Sequence, residues 1–290
     1  MEELKRLHSE ARIRTTARVV IVFIAAFFTW AESGRAQLFP IILLVGRFLF
    51  ALLGNPARRQ YRLAFKKAFV LGTLESAFTD LYYQPENGIS GTTIATTNMV
   101  RPGSYVRAED LVVARYRGLS FQLSDVLMQE KHGKTTKTTF NGQWMIFDLD
   151  KHFRTDLSIV QNGISCAKNR WNYVLDNSPL KRVSTSSEAF DREFRVYAQS
   201  GLDACNILTP VLMERIQGLA AHIQGRLMFC FVGNRLHVAI HSKRNFFEPG
   251  SIFEHFDLQA AVQRTQEEIG FVTRFIDELN GNSELFQPEE

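Results

Sequence analysis

Cysteine is scarce in this 290-residue chain: Cys166, Cys205 and Cys230 are scattered through its second half. So few residues exclude a disulfide framework and suit a reducing compartment. None belongs to a Cys-x-x-Cys pair, and no Gly-x-Ser-x-Gly or His-Glu-x-x-His string occurs. The chain therefore offers no redox pair, no hydrolase nucleophile elbow and no metalloprotease helix. Internal repeats and low-complexity tracts are absent as well. With no catalytic string to place, no cofactor and no metal set is expected, and the chain leans away from being an enzyme.

Positive charge is also missing where nucleic-acid binding would need it. The whole chain carries +4, but residues 1 to 70 hold 12 Lys and Arg against 4 Asp and Glu, which leaves 22 against 26 for the rest. A mildly acidic domain without Arg-aromatic clusters excludes nucleic acid as an expected partner.

What the chain does have is two apolar runs, Val19 to Trp30 and Leu38 to Leu53, seven residues apart. Each is short against the roughly 20 residues that cross a bilayer. The first reaches about 19 residues if it starts at Ile13 and Arg14 and Arg18 snorkel to the headgroups. The second contains Arg47, a charge that costs about 3 kcal/mol at the middle of a span and must face water, protein or headgroups. It marks an interface with a partner or a water defect. A cleaved signal peptide fits less well, because Ala31-Glu32-Ser33-Gly34 lacks a small-x-small cleavage pattern and a second run follows at once. A soluble protein with two buried hairpin helices is the other alternative, given a mean hydropathy of −0.11.

Lys and Arg crowd the outer flanks of the pair and leave only Arg35 between the runs. The positive-inside rule then predicts a two-pass anchor with both termini cytoplasmic. Arg14, Arg18, Arg58, Arg59, Arg62, Lys66 and Lys67 form the expected membrane-surface basic set. Asn55-Pro56 opens an amphipathic segment in which Tyr61, Phe65, Ala68 and Phe69 recur at helical spacing beside that basic stripe. It reads equally as a juxtamembrane helix or as the first core helix of the domain.

Beyond it the pattern predicts an α+β domain. Period-two stretches Leu111–Tyr116, Leu119–Met128, Thr135–Phe140 and Trp144–Leu149 read as an antiparallel meander, turning at Arg117-Gly118, His132-Gly133 and Asn141-Gly142. A polar stretch, 161–188, separates a second block: a strand at Glu193–Ala198, a helix capped by Thr209, a hairpin through Gly233-Asn234, and a long helix from Asp257 to Asn280. The expected organisation is an anchor at 1–55, a juxtamembrane helix at 56–80, a cytoplasmic domain at 81–282 with a sub-boundary near 161–188, and a polar tail at 283–290.

Several ordered strings, Phe140-Asn-Gly-Gln-Trp144, Asp150-Lys-His-Phe153, Phe190 to Tyr197, Ile207 to Arg215, Phe231 to Ile240 and Phe247-Glu-Pro249, resemble a bacterial membrane-protein family known as domain of unknown function 3137. The resemblance runs from about Tyr61 to Asn280. It implies two apolar segments ahead of a soluble domain, at a bacterial inner membrane, and it brings no activity, cofactor or site residues with it.

Candidate chemistry is thin. Gly133-Lys-Thr lacks the upstream glycine of a phosphate loop, since Met128 stands there, and it reads as a polar hairpin tip. Asp148, Asp150 and His152 alternate, so a continuing strand would align two carboxylates and an imidazole for acid/base or metal work, or would simply end in solvent. His237 and His241 share a strand face, about 13 Å apart, and read as solvent-facing or interface residues. Cys205 and Cys230 read as small buried hydrophobes. The expected function is a membrane-anchored module binding a protein partner or its own copies at the inner leaflet. The alternatives are an enzyme using the Asp148, Asp150 and His152 cluster, and a channel or transporter component.

Overall fold

The structure, a computed structural model, describes residues 2–33, 44–45, 56–97, 99–100, 103–149, 152–153, 155–163, 180–253 and 257–280. They fall into two compact units, Met1–Gly72 with Glu248–Arg264, and Thr73–Phe247 with Thr265–Glu290.

In the first unit, α1 (Glu2–Ser33) is one helix with two characters. Leu4, His8, Ala11 and Thr15 are buried at steps of four, three and four, the seam by which one helix lies along another. The partner is α2 (Pro56–Phe65), which buries Ala57, Tyr61 and Phe65; the His8 and Tyr61 rings meet edge-on at 5.1 Å. Past Arg18 the helix changes. Val19, Val20, Ile21, Phe23, Ile24, Phe27, Phe28 and Trp30 are exposed around its circumference. This is the one described helix long and apolar enough to cross a membrane. The second apolar run, with Arg47, lies outside the described residues apart from Leu44 and Val45, so the predicted two-pass hairpin reduces to one visible candidate span.

After α2 comes one π-helical turn, Lys66–Val70, and then α3 (Leu71–Ala77). The apolar positions explain the wide turn. Ala57, Tyr61, Phe65, Val70 and Leu74 are buried, with a five-residue step where ordinary helix would require three or four. One extra residue per turn keeps that stripe on a single face.

The second unit is built on a nine-stranded, wholly antiparallel sheet: β1 (Thr79–Gln84), β2 (Tyr105–Tyr116), β3 (Leu119–His132), β4 (Thr135–Asp148), β5 (Leu157–Gln161), β6 (Lys181–Val183), β7 (Phe194–Ala198), β8 (Leu227–Val232) and β9 (Arg235–Ile240). The spatial order is β1-β2-β3-β4-β9-β8-β5-β7-β6. Helices α4 (Gly91–Ala95), α5 (Glu188–Glu193), α6 (Gly201–Ile207), α7 (Pro210–His222) and α8 (Leu258–Asn280) complete an α+β fold. Thr209 caps α7 by accepting from Leu212 N, and Asp257 caps α8 by accepting from Ala260 N at 3.1 Å, as their positions ahead of the apolar repeats predict.

Both faces of the central strands are covered. On one, Phe147 of β4 stacks on Phe275 of α8, with centroids 6.3 Å apart. On the other, Val126, Phe140, Trp144, Met228, Cys230 and Ala239 pack with Ile89, Ile94, Met99 and Val100. Two-sided burial is why Leu227 to Val232 reads as an unbroken apolar run. It also corrects the half-buried reading of β3: Ser124 is fully buried, its hydroxyl accepting from Ile89 N at 3.0 Å.

The predicted turn at Asn141-Gly142 does not exist. Thr135–Phe140 and Trp144–Asp148 belong to one strand, β4, with a register shift at Met128/Gln129 of its neighbour. Gly142 (φ +152) is needed there for space: a Cβ would collide with the Ile240 carbonyl oxygen and lie 2.9 Å from Ser242 N. The glycine marks close approach of β9, a signal indistinguishable in sequence from a hairpin turn.

Candidate functional site

The strongest polar constellation in the second unit starts from strand pairing. Register sets Asp125 of β3 opposite Gln143 of β4, and both are buried. Gln143 Nε2 donates to Asp125 Oδ1 at 3.0 Å and to the Arg244 carbonyl at 2.7 Å. Ser242 Oγ donates to Gln143 Oε1 at 2.9 Å, and Phe246 N donates to the other Asp125 oxygen. Next along, Phe247 N donates to Glu268 Oε2 at 2.7 Å. Lys243 and Phe247 both adopt left-handed backbone, at φ +60° and +59°. Such conformations cost roughly 1–3 kcal/mol each and persist where surrounding bonds enforce them. A short turn of chain, 242–247, is thus clasped by two carboxylates and one amide. The arrangement positions backbone; its polar atoms are spent on holding that turn.

A second buried patch lies on the opposite sheet face. Trp144 Nε1 donates to His237 Nδ1 at 3.3 Å, which fixes the imidazole as the neutral Nε2–H tautomer. Burial, reinforced by Arg235 and opposed by Asp148, holds His237 down to about 4. Its cross-strand partner Cys230 hydrogen-bonds Ser158 Oγ at 3.3 Å, and burial pushes the thiol up to about 12. A neutral imidazole beside a neutral thiol is the reverse of an activated Cys-His pair. The solvent-facing reading of His237 is therefore wrong: the side chain is buried on a sheet face over which Ile89, Ile94, Met99 and Val100 pack. His241 is half-buried, its Nδ1 accepting from Asn141 N at 3.2 Å, and burial ahead of Lys243 lowers its pKa.

The Asp148, Asp150 and His152 alternation does not continue as a strand, because β4 ends at Asp148. Leu149 N and Phe153 N instead donate to the Asn234 and Gly233 carbonyls, both at 2.8 Å, which ties these two residues to the β8–β9 turn. Asp148 pairs with Arg235 at 3.0 Å, each about half exposed; His152 is exposed; Asp150 lies outside the described residues. Among the described residues no three His, Cys, Asp or Glu side chains are placed to hold a metal ion. Gly133-Lys-Thr is a hairpin tip, with Gly133 at φ +58°.

In the first unit the basic stripe divides. Arg14, Arg58, Arg59 and Lys67 are exposed and Arg18 half-buried. Arg62 Nη2 and Lys66 Nζ instead converge on Glu248 Oε1, at 3.2 and 3.0 Å, with the Lys66 side chain 1% exposed. Arg47 lies outside the described residues. Sequence reasoning missed the Asp125 and Glu248 clasps. Their only signal was that Gln143 and Glu248 fall inside the strings that resemble a family, where nothing distinguishes a clasp from any other polar residue.

Residues 138–281 match a family described as a protein of unknown function, DUF3137. The match makes residues 138–281 a DUF3137 segment of the chain. The DUF3137 segment begins within β4 and ends just beyond α8, so Gln143, Ser242, Phe246 and Glu268 lie inside it while Asp125 contributes from β3, outside it. No curated protein matches the chain. Among solved structures, the crystal structure of the mycobacterial trehalose monomycolate transport factor A, TtfA, is similar at 12% sequence identity and a TM-score of 0.43, over 76% of this chain and 96% of that one.

Proposed function

We propose that this chain is a membrane-anchored protein whose α+β domain works as an interaction or self-assembly module at the inner leaflet of a bacterial cytoplasmic membrane. The observation that carries the reading is the second half of α1. From Val19 to Trp30 it exposes large apolar side chains on most of its circumference, with Ile21 63% and Phe28 60% accessible. A core helix buries such residues, and an amphipathic surface helix exposes them on no face. Lipid is the environment in which that pattern costs nothing. The charge bias of the flanks supports cytoplasmic termini and a second pass through Leu38 to Leu53.

The interaction role is supported by what the buried polar groups do. Asp125, Gln143 and Glu268 hold backbone, and His237 and Cys230 are kept neutral, so binding by a rigid domain is favoured over turnover. Chemical crosslinking of the full chain in native membranes, read by mass, tests this. Discrete homo-oligomers or one recurrent partner are expected. A chain that stays monomeric and uncrosslinked, or that alkaline carbonate strips from the membrane, refutes the reading.

A further inference from the structure

We infer that the cations at the base of the apolar half of α1, Arg12, Arg14 and Arg18, with Arg58 and Arg59 of α2 as an outer tier, bind the phosphate headgroups of anionic lipids. The inference rests on the anchoring reading and adds the lipid class. At 1.5 Å per residue, Arg18, Arg14 and Arg12 stand roughly 2, 8 and 11 Å before Val19 along the helix. A headgroup layer is about 5–8 Å deep and the Debye length about 8 Å at physiological salt, so all three guanidinium groups reach charged lipid. Arg12 and Arg14 are exposed and Arg18 half-buried.

Arg58 and Arg59 are exposed and lie within one turn of Tyr61, which touches His8 of α1. They therefore stand roughly 12–21 Å from Val19 along the axis, where only the outer fringe of the leaflet's potential is felt. Arg62 and Lys66 share the single Glu248 carboxylate, with Lys66 buried, so these two are not counted in the lipid site. Charge is segregated accordingly. The first unit holds 13 Lys and Arg against 7 Asp and Glu, the second 21 against 23. The excess of positive charge that an anionic leaflet attracts therefore belongs to the first unit.

The test is lipid retention by the full chain, extracted from vesicles of equal parts phosphatidylglycerol and phosphatidylcholine, with bound lipids counted by mass spectrometry. Wild type should retain phosphatidylglycerol in excess. Each inner cation removed should lower that excess about fivefold, so Arg14→Gln with Arg18→Gln lowers it about thirtyfold. Arg58→Gln with Arg59→Gln should lower it less than fivefold. Lys131→Gln with Lys134→Gln, exposed on the β3–β4 hairpin, removes equal charge and should change nothing. Should the inner double variant fail to fold, loss of the wild-type excess at 0.5 M salt carries the same decision. Equal retention of the two lipids, or equal loss in the hairpin variant, overturns the inference while leaving the anchor standing. A chain that does not float with vesicles at all overturns both.

Discussion

Asp125→Ala is the substitution on which the description of the sheet unit depends most. The carboxylate is 4% exposed and receives Gln143 Nε2 at 3.0 Å and Phe246 N on its other oxygen. Truncation leaves one N–H of the buried Gln143 amide and the part-buried Phe246 N–H without their acceptor, each costing about 1–3 kcal/mol. The left-handed backbone at Phe247 then loses one of the bonds that enforce it. A total of about 4 kcal/mol is expected, a large share of the 5–15 kcal/mol typical of a folded domain. For a domain of this size that lowers Tm by about 8–16 °C. Asp125→Asn keeps one acceptor and should lose about half as much. Equilibrium urea unfolding of the full chain in detergent, followed by far-ultraviolet circular dichroism, measures both. A loss below 1 kcal/mol for Asp125→Ala would mean that the clasp does not hold the 242–247 turn.

Acid should weaken the fold through His237. Its pKa of about 4 lies below the ordinary 6.5, so between those values the unfolded chain binds a proton that the folded chain refuses. Stability is therefore complete above pH 6.5 and falls by up to roughly 3 kcal/mol as pH drops to 4. His237→Gln should flatten that dependence, and parallel pH profiles for the two chains would contradict the assignment. Glu248→Gln leaves the buried Lys66 ammonium beside a neutral amide and should cost about 2–3 kcal/mol. Asp148→Ala removes a half-exposed pair and should cost less than 1 kcal/mol; a reversed order in urea melts would refute the burial argument. Gly142→Ala should cost more than 3 kcal/mol, because the obstacle is backbone of β9, and near wild-type expression and melting would show that β4 and β9 can separate.

Local chemistry made much of this fold legible. Thr209 ahead of Pro210, Asp257 ahead of an apolar three-four repeat, and Gly233-Asn234 between two apolar runs each determine their own neighbourhood, and each element stands where its signal predicts. What sequence could not convey was pairing across distance. Asn141-Gly142 looks like a turn because a turn and a close backbone approach both require glycine, and only β9, about a hundred residues on, decides between them. His237 looks like an outward residue because alternation gives a face without saying what covers it; the cover comes from Ile89 to Val100. The stripe Arg58, Arg62, Lys66 looks uniform, yet Glu248 withdraws two of its members. Electrostatic partners distant in sequence leave no periodicity to read.

The anchor is the central claim, and residue 24 tests it most directly. A nitroxide attached at Ile24→Cys, in a full-length chain whose other cysteines are replaced by alanine, reports its surroundings through collisions with dissolved oxygen and with a water-soluble nickel chelate. In vesicles, high oxygen access with little nickel access is predicted at this 49%-exposed side chain. Equal access to both, as expected for a label at the 73%-exposed Leu202, would contradict a membrane-embedded α1.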